Sequence, residues 1–432
     1  MKLIGDDKIF CDNTSVLQPY DIFVSSKQNE KYLKDIPPNT TIVQDYNLSK
    51  YFDLSSINIV GVCGTNGKTT TAACIYSILL DLGYKVALQG GRGFFINDIK
   101  KADFSLTTPT LLETISNLQT AIKNDCEYFI MEVSSHAIVQ HRIIGLNFAL
   151  KVHTNITQDH LDFHKTLEEY IKVKNSFFAD DGLKLINKDD KNIKVNKTNC
   201  LTYSLEYPAT YKVVAYSFKA GLNISLQNIQ NLTTISSSLI GIFNIYNIVA
   251  SFGAVHILSK KPLDIIAKVV ENFAGVAGRM QQISTNPYII VDFAHTPDAM
   301  KNVFDSFVPY DIIVVFGAGG DRDKSKRKLM GQVASKFASY SYITSDNLRF
   351  EDPDKICDDI VKGFNNKNYE IEIDRRKAIS KAISSLKNYK KPMIVVLGKG
   401  DERTQTIYDY ELPFCDATTI KEILYEKSIS NS

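Results

Sequence analysis

Residues 57–82, INIVGVCGTNGKTTTAACIYSILLDL, restrict the fold more than any other stretch. The β-branched run Ile57–Val62 reads as a buried strand. Gly64-Thr65-Asn66-Gly67 makes a tight loop, and Lys68-Thr69-Thr70 opens an amphipathic helix that runs to Leu82 and stops at Gly83. A strand, a glycine loop and a helix in this order aim backbone N–H groups and the positive helix end at an anion. The lysine ammonium then reaches the outer phosphates, and a threonine hydroxyl faces Mg²⁺. Gly64, Thr65, Asn66, Gly67, Lys68, Thr69 and Thr70 are therefore the candidate nucleotide-phosphate residues. The strict phosphate-loop pattern would place glycine at 62, where Val62 stands. The loop is a variant, and an ordinary strand–helix turn is the alternative.

Beyond residue 57, strands and helices alternate, as in a mostly parallel sheet with covering helices. The expected strands are Tyr84–Gln89, Tyr128–Val133, Phe148–Ile156, Tyr288–Phe293, Asp311–Phe316, Tyr342–Thr344, Tyr369–Ile373 and Met393–Leu397. Residues 1–56 hold two short strands, Asp21–Val24 and Thr40–Val43, too little for a large core of their own. Residues 195–237 change to a Ser/Thr/Asn-rich β pattern and read as an insertion. The small, flexible run Ala274–Arg279 is the best boundary. At 432 residues, the chain has room for two or three domains: 1–56, 57–277 and 278–432.

Composition narrows the class of function. A net charge of +2 with interspersed signs argues against a polyanion-binding surface, hence against nucleic acid. Seven scattered cysteines without a C-x-x-C pair indicate a reducing compartment rather than a disulfide frame or zinc site. The first residues, MKLIGDDKIF, lack an apolar signal core, and no apolar run reaches about 18–20 residues. The expectation is a cytoplasmic protein without membrane insertion.

Several polar residues sit where open α/β sheets bind ligands, past strand ends. Glu132 ends an apolar strand near the phosphate loop and is the candidate magnesium carboxylate; a satisfied buried glutamate is the alternative. Thr107-Thr108-Pro109 precedes a helix and could be a plain cap. His160 follows the strand Phe148–Ile156. Lys174 lies on the helix Leu167–Phe178, four residues from both Tyr170 and Phe178, so it points inward. An inward lysine is costly unless neutralised or paired, although a snorkelling stem would also fit the spacing. In the last third, Asp292/His295, Asp321–Lys324, Asp346–Arg349 and Gly398–Glu402 all follow strand ends.

GTNGKTT at 64–70, Thr107-Thr108-Pro109, Glu132-Val133-Ser134-Ser135-His136-Ala137 and Gln140-His141-Arg142 together resemble the Mur ligase superfamily, the ATP-dependent amide-bond synthetases of bacterial cell-wall assembly. They are most similar to its branch that adds the third residue to UDP-N-acetylmuramoyl-L-alanyl-D-glutamate. The resemblance covers nearly the whole chain beyond residue 57. It implies an α/β fold of three domains: a small N-terminal α/β lobe for the uridine end, a central P-loop ATPase domain with a mostly parallel sheet, and a C-terminal Rossmann-like domain for the incoming amino acid. Carried over by residue, Thr107, Thr108, Ser134, Gln140 and Arg142 would hold the muramoyl-dipeptide. Asn244, Asn247, Arg279, Asp292 and His295 would surround the nucleotide. Arg322, Asp346, Asn347, Leu348, Arg349, Gly398 and Glu402 would line the amino-acid site.

Lys174 matches the lysine that CO₂ carbamylates in the family. The implied cofactors are ATP and Mg²⁺, with Thr69, Glu132, His160 and carbamylated Lys174 as metal ligands and Lys68, Glu132, His160 and Lys174 as the catalytic set. Arg349 can pair bidentately with a carboxylate, and Glu402 with an ammonium. That favours meso-diaminopimelate, whose side chain ends in both groups, over L-lysine, which has only the ammonium. The implied protein is a monomer. A nucleotide-gated binding or motor protein is the alternative from another class. The chain departs from the family at Leu348, where proline is usual, at Gln281 for glutamate and at Asp401 for histidine. In the short first lobe, Asp12-Asn13-Thr14-Ser15 stands for an Asp-Ser-Arg.

Overall fold

The structure, a computed structural model, describes residues 1–430 except 6, 104, 105, 219, 220 and 230. The chain divides into two compact units. The first comprises Met1–Ile156, Glu168–Ser237 and Ile245–Phe273. The second comprises Thr157–Leu167, Ser238–Asn244 and Ala274–Ser432.

The first unit is built on a sheet of 11 strands among the described residues. Its centre is the strand Asn58–Cys63, flanked in parallel by Tyr128–Val133 and Phe148–His153. Ile59, Val60, Val62 and Cys63 are all buried, as a central parallel strand covered on both faces requires. The helix Lys68–Asp81 follows directly and packs on this sheet. Val86–Gly90 extends the parallel array on one side, and the hairpin Gly93–Ile96/Ile99–Ala102 closes that edge.

On the other side, Lys184–Asn187, Cys200–Ser204 and Tyr211–Ser217 continue the sheet in parallel, and Leu222–Asn228 and Asn231–Ser237 finish it antiparallel. The stretch 195–237 is therefore the far wing of the main sheet, not an insertion. Its polar alternation reflects half-exposed edge strands.

The first residues form a four-stranded sheet, Lys2–Gly5, Lys8–Cys11, Ile22–Ser25 and Ile42–Gln44. Its core residues Phe10, Ile22, Val24, Leu48 and Phe52 pack with Leu111, Leu112 and Ile115 of the helix Leu111–Lys123. The lobe thus borrows its core from a helix of the large sheet, as its length demands.

The helix Ile242–Ser259 is the one among the described residues that meets the length and apolarity of a membrane span, against the expectation that no such run exists. Most of that window, 61%, is buried inside the protein. Ser251 Oγ donates to Thr71 O (3.2 Å), so this helix lies on the helix that follows the phosphate loop. Covering on several sides explains its apolar character.

The second unit carries a six-stranded sheet in the order Gln281–Thr285, Tyr288–Asp292, Pro392–Leu397, Asp311–Phe316, Tyr340–Ile343 and Tyr369–Ile371. All neighbours are parallel except the first pair. Its strands alternate cleanly between two cores. Ile312, Val314, Phe316, Met393, Val395 and Leu397 face the helices Pro297–Asp305, Ser325–Phe337 and Pro353–Val361. Ile313, Val315, Ile394 and Val396 face Arg375–Ser385 and Asp416–Ser430. A sheet covered on both faces leaves its carboxyl-end loops as the place for chemistry.

Candidate active site

In the first unit the phosphate loop is held by its neighbours. Thr65 N donates to Asn155 O (2.7 Å), Asn66 N to Asn155 Oδ1 (3.0 Å), and Thr154 Oγ1 to Asn66 O (2.7 Å). Gly67 adopts φ +84°, and a β-carbon there would stand 2.4 Å from Asn247 Oδ1. A β-carbon on Gly64 would stand 1.8 Å from Thr154 Oγ1. These two glycines are therefore fixed by sterics, whereas Val62, at the position where the strict pattern has glycine, lies buried in the strand.

Lys68 Nζ donates to Gly64 O (2.9 Å) and Thr65 O (2.8 Å), which holds its ammonium at the loop. Thr69 Oγ1 donates to Glu132 Oε2 (2.9 Å). The other carboxylate oxygen of Glu132 takes the Gly91 amide (3.1 Å). A hydroxyl and a carboxylate together at the head of a phosphate loop suit Mg²⁺, which takes few protein oxygens and fills its remaining positions with phosphate and water. No group of three or more His, Cys, Asp and Glu side chains that could hold a metal occurs among the described residues. A metal here would thus depend on non-carboxylate donors as well.

Lys174 does point inward. It is 1% exposed, and its Nζ donates to Gly64 O at 2.7 Å, the oxygen that Lys68 also uses. The Nζ also stands 5.0 Å from the centroid of the Tyr170 ring, whose hydroxyl meets Thr65 Oγ1 (2.9 Å). The snorkelling alternative is excluded, since the head group is enclosed.

Thr108 links the phosphate side to the neighbouring loop. Its Oγ1 donates to Glu132 O (2.9 Å) and accepts from Ser134 N (3.0 Å). Ser134 caps the short helix Ser135–Val139. Arg142 donates to Thr108 O (2.7 Å) and to Gln140 Oε1. Thr107 lies beside Gly91: a β-carbon built there would be 3.7 Å from Thr107 Oγ1. Gln140 and Arg142 also line a cavity of about 540 Å³ whose far wall includes Asp12, Asn13, Thr14 and Ser15.

In the second unit, His160 and His295 flank Asp159, with Nε2 atoms 3.4 and 3.9 Å from its Oδ2. Burial pushes the Asp159 carboxyl up, but His295, His160 and Lys326 outweigh it and hold the group at about 2. Burial holds His295 below the usual imidazole range. Asp292 is buried and takes the Met280 and Ala294 amides, both at 2.7 Å. Arg279 stacks on Phe293, 4.2 Å from the ring centroid. Asn244 Nδ2 donates to Ile240 O (2.7 Å). Asn247, by contrast, belongs to the first unit, against Gly67 and Thr71.

The remaining residues gather on two loops of this unit. Asn347 Nδ2 donates to Glu402 Oε2 (2.9 Å), and the buried Lys399 Nζ bridges Asn347 Oδ1 (3.0 Å) and the same Glu402 oxygen (2.9 Å). Gly398 has φ +110°, and a β-carbon there would stand 2.5 Å from Asp346 Oδ2. Burial pushes the Asp346 carboxyl up, yet Lys399 and Arg375 prevail and hold it below the usual range. Arg349 Nη1 donates to Gly320 O (2.8 Å). Arg322 converges with it at Gly319, where a β-carbon would meet Arg349 Nη1 at 3.2 Å and Arg322 Cγ at 3.6 Å. Two guanidinium groups beside carboxylates can hold a zwitterion.

Leu348, the replacement for the usual proline, is buried in the sheet core, and Arg349 takes φ +52°. The loop is pinned instead by the hairpin Thr404–Ile407/Tyr410–Pro413: Arg349 N donates to Thr406 O (3.1 Å) and Tyr408 N to Arg349 O (2.7 Å). Gln281 accepts the Gly278 amide (2.8 Å). Sequence reasoning did not single out Asp159 or Lys399. Their places beside His160 and between two glycines were the available signal.

Two family models match the chain: Mur ligase middle domain over residues 62–255, and Mur ligase, glutamate ligase domain over residues 278–400. Among curated relatives, UDP-N-acetylmuramoyl-L-alanyl-D-glutamate--2,6-diaminopimelate ligase of Helicobacter pylori is 49% identical over 424 residues, 95% of this chain and 94% of that protein. The enzyme of the same name from Wolinella succinogenes is 50% identical, covering 86% of each chain. A solved structure with that name superposes with a TM-score of 0.65 at 27% identity, covering 97% of this chain and 95% of the other.

Proposed function

The chain belongs to the Mur ligase family of ATP-dependent amide-bond-forming ligases, and we propose that it adds meso-diaminopimelate to the D-glutamate of UDP-N-acetylmuramoyl-L-alanyl-D-glutamate, a step of peptidoglycan precursor synthesis. The observation that carries this reading is the enclosed Lys174 beside Lys68 on the Gly64 carbonyl. A second buried cation at this carbonyl supports a ligase, which can convert it to a carbamate, over a nucleotide-gated motor.

The residues divide the work. The loop Gly64–Thr70 cradles the ATP phosphates, and Lys68 stabilises charge on the γ-phosphoryl group as it transfers. Thr69 and Glu132 of the first unit would hold one Mg²⁺; carbamylated Lys174 of the first unit and His160 of the second are the further candidate ligands. A metal bound there would supply the charge that offsets the repulsion between the phosphate and the substrate carboxylate. The Lys174 ammonium gives up one proton to become a nucleophilic amine, the amine adds to CO₂, and a second proton leaves, so that the cation becomes an anionic oxygen ligand. The D-glutamyl carboxylate attacks the γ-phosphorus and ADP leaves. The amino group of diaminopimelate attacks the resulting acyl phosphate and releases phosphate.

Arg142, Thr107, Thr108, Ser134 and Gln140 hold the muramoyl-dipeptide, with its uridine end in the cavity lined by Asp12–Ser15. Arg279, Asp292, His295, Asn244 and Asn247 serve the nucleotide. Arg322 and Arg349 seat the far carboxylate of diaminopimelate, while Asp346, Asn347 and Glu402 face its ammonium. Residues 1–56, 57–277 and 278–432 act as uridine, ATP and amino-acid domains. The enzyme works as a cytoplasmic monomer, without membrane insertion. The test is phosphate release with UDP-muramoyl-dipeptide and ATP across diaminopimelate, lysine and ornithine. Turnover with lysine but not diaminopimelate rejects the substrate, and release that needs no amino acid rejects the ligase.

A further inference from the structure

Arg375 is fully buried at the start of the helix Arg375–Ser385, and its guanidinium bonds to the first residue of the last helix and to two carbonyls at or just beyond strand ends. Its Nε and Nη2 grip Asp416 Oδ1 and Oδ2, both at 2.8 Å. Asp416 opens the C-terminal helix. Nη2 also donates to Leu397 O (2.9 Å), and Nη1 donates to Ser345 O (3.2 Å).

Those two carbonyls lie at the carboxyl ends of different strands. Leu397 ends Pro392–Leu397, and Ser345 follows Tyr340–Ile343, with Asp311–Phe316 lying between the two in the sheet. The guanidinium therefore spans the end of the middle strand. Each carbonyl is followed at once by a loop of the amino-acid site: Asp346–Arg349 after Ser345, Gly398–Glu402 after Leu397. The loops touch just there, where a β-carbon on Gly398 would press on Asp346 Oδ2. Further out, the bonds from Asn347 Nδ2 to Glu402 Oε2 and from Lys399 Nζ to Asn347 Oδ1 join them.

A buried ion pair needed for stability alone is satisfied by Asp416. The two carbonyl bonds do something else: they set the gap between the loops. We propose that Arg375 is a positioning residue of the amino-acid site, which fixes the spacing of the Asp346–Arg349 and Gly398–Glu402 loops without touching the amino acid. This rests on the assignment of those loops to diaminopimelate.

The test compares Arg375→Lys with the double variant Arg375→Met/Asp416→Leu. The lysine keeps the charge beside Asp416 but has no fork to reach both carbonyls. The double variant removes both charges, so that none is left buried without a partner. KM for diaminopimelate, KM for ATP, KM for UDP-muramoyl-dipeptide, kcat and the thermal midpoint are measured on each. The expected result is a rise of about tenfold in KM for diaminopimelate with the other two KM values unchanged. An unchanged KM for diaminopimelate in folded Arg375→Lys overturns the proposal, as does an equal rise in all three KM values. Should the double variant fail to fold, Arg375→Lys alone decides. Failure of the wild-type enzyme to use diaminopimelate would instead reject the substrate assignment, and the wild-type panel reads that separately.

Discussion

Lys68 and Lys174 donate to one oxygen, the carbonyl of Gly64, at 2.9 and 2.7 Å. Two ammonium groups on one acceptor repel each other, and Lys174 is buried. The proposed carbamylation would turn the inner amine into an anion and relieve that repulsion. Lys174→Ala should therefore lower ligation at least about a hundredfold. Acetate or propionate added to the assay should restore part of it. Phosphate release measured with and without the small acid checks this, and full activity without rescue would refute the carbamate.

Gly67 and Gly83 both have positive φ, but their surroundings differ. A β-carbon at Gly67 meets Asn247 Oδ1 at 2.4 Å, while at Gly83 nothing lies within 4 Å. Gly83→Ala should cost about 1 kcal/mol of stability and leave ATP binding alone. Gly67→Ala should weaken ATP binding by tenfold or more, because the loop must move to admit the methyl group. Calorimetric titration of both variants with a non-hydrolysable ATP analogue separates the two effects.

Arg349→Ala should raise KM for meso-diaminopimelate roughly a hundredfold, the worth of charge-assisted bonds to the carboxylate. Its effect on L-lysine as a substrate should be small or favourable, since a repelling cation has gone. A steady-state comparison of the two amino acids tests the pairing. Equal losses for both would mean that the loop, not the charge, was damaged.

Glu351 lies between Arg327, which is fully buried, and Lys324. Hydrogen bonds from Arg327, opposed by burial and joined by Lys324, hold its carboxyl well below the ordinary 4.5. A depressed carboxyl contributes stability that is fully present above its ordinary value and is lost as pH falls through the folded one. Glu351→Gln should thus cost about 3 kcal/mol near neutral pH and flatten the loss of stability below pH 4.5. Denaturant melts of both proteins at neutral and acid pH measure the difference.

How legible the molecule was depended on how local the deciding contacts are. Tyr128–Val133 and Asp311–Phe316 form at the residues expected, since six-residue apolar runs bounded by polar residues leave little choice. The helix at Lys68 was equally plain. The wing of the sheet at 195–237 was misread because pairing with Lys184–Asn187 is set by tertiary contacts, not by its own pattern. The hairpin at 404–413 was missed although its strands pair with each other, because TQTI and YELP are short, polar and largely exposed and carry no apolar alternation. Among site residues, an inward Lys174 could be deduced from helical spacing. That Asp292 would give both its oxygens to the amides of Met280 and Ala294 could not, because loop partners leave no periodic trace.

The division of the chain into three segments per unit has a practical consequence for dissection. The backbone passes from one unit to the other at 156/157, 167/168, 237/238, 244/245 and 273/274. No single cut yields either half whole. A fragment beginning at Ala274 would lack Asp159 and His160, and one ending at Phe273 would carry them without their own surroundings. Functional dissection therefore has to proceed by point substitution in the intact chain.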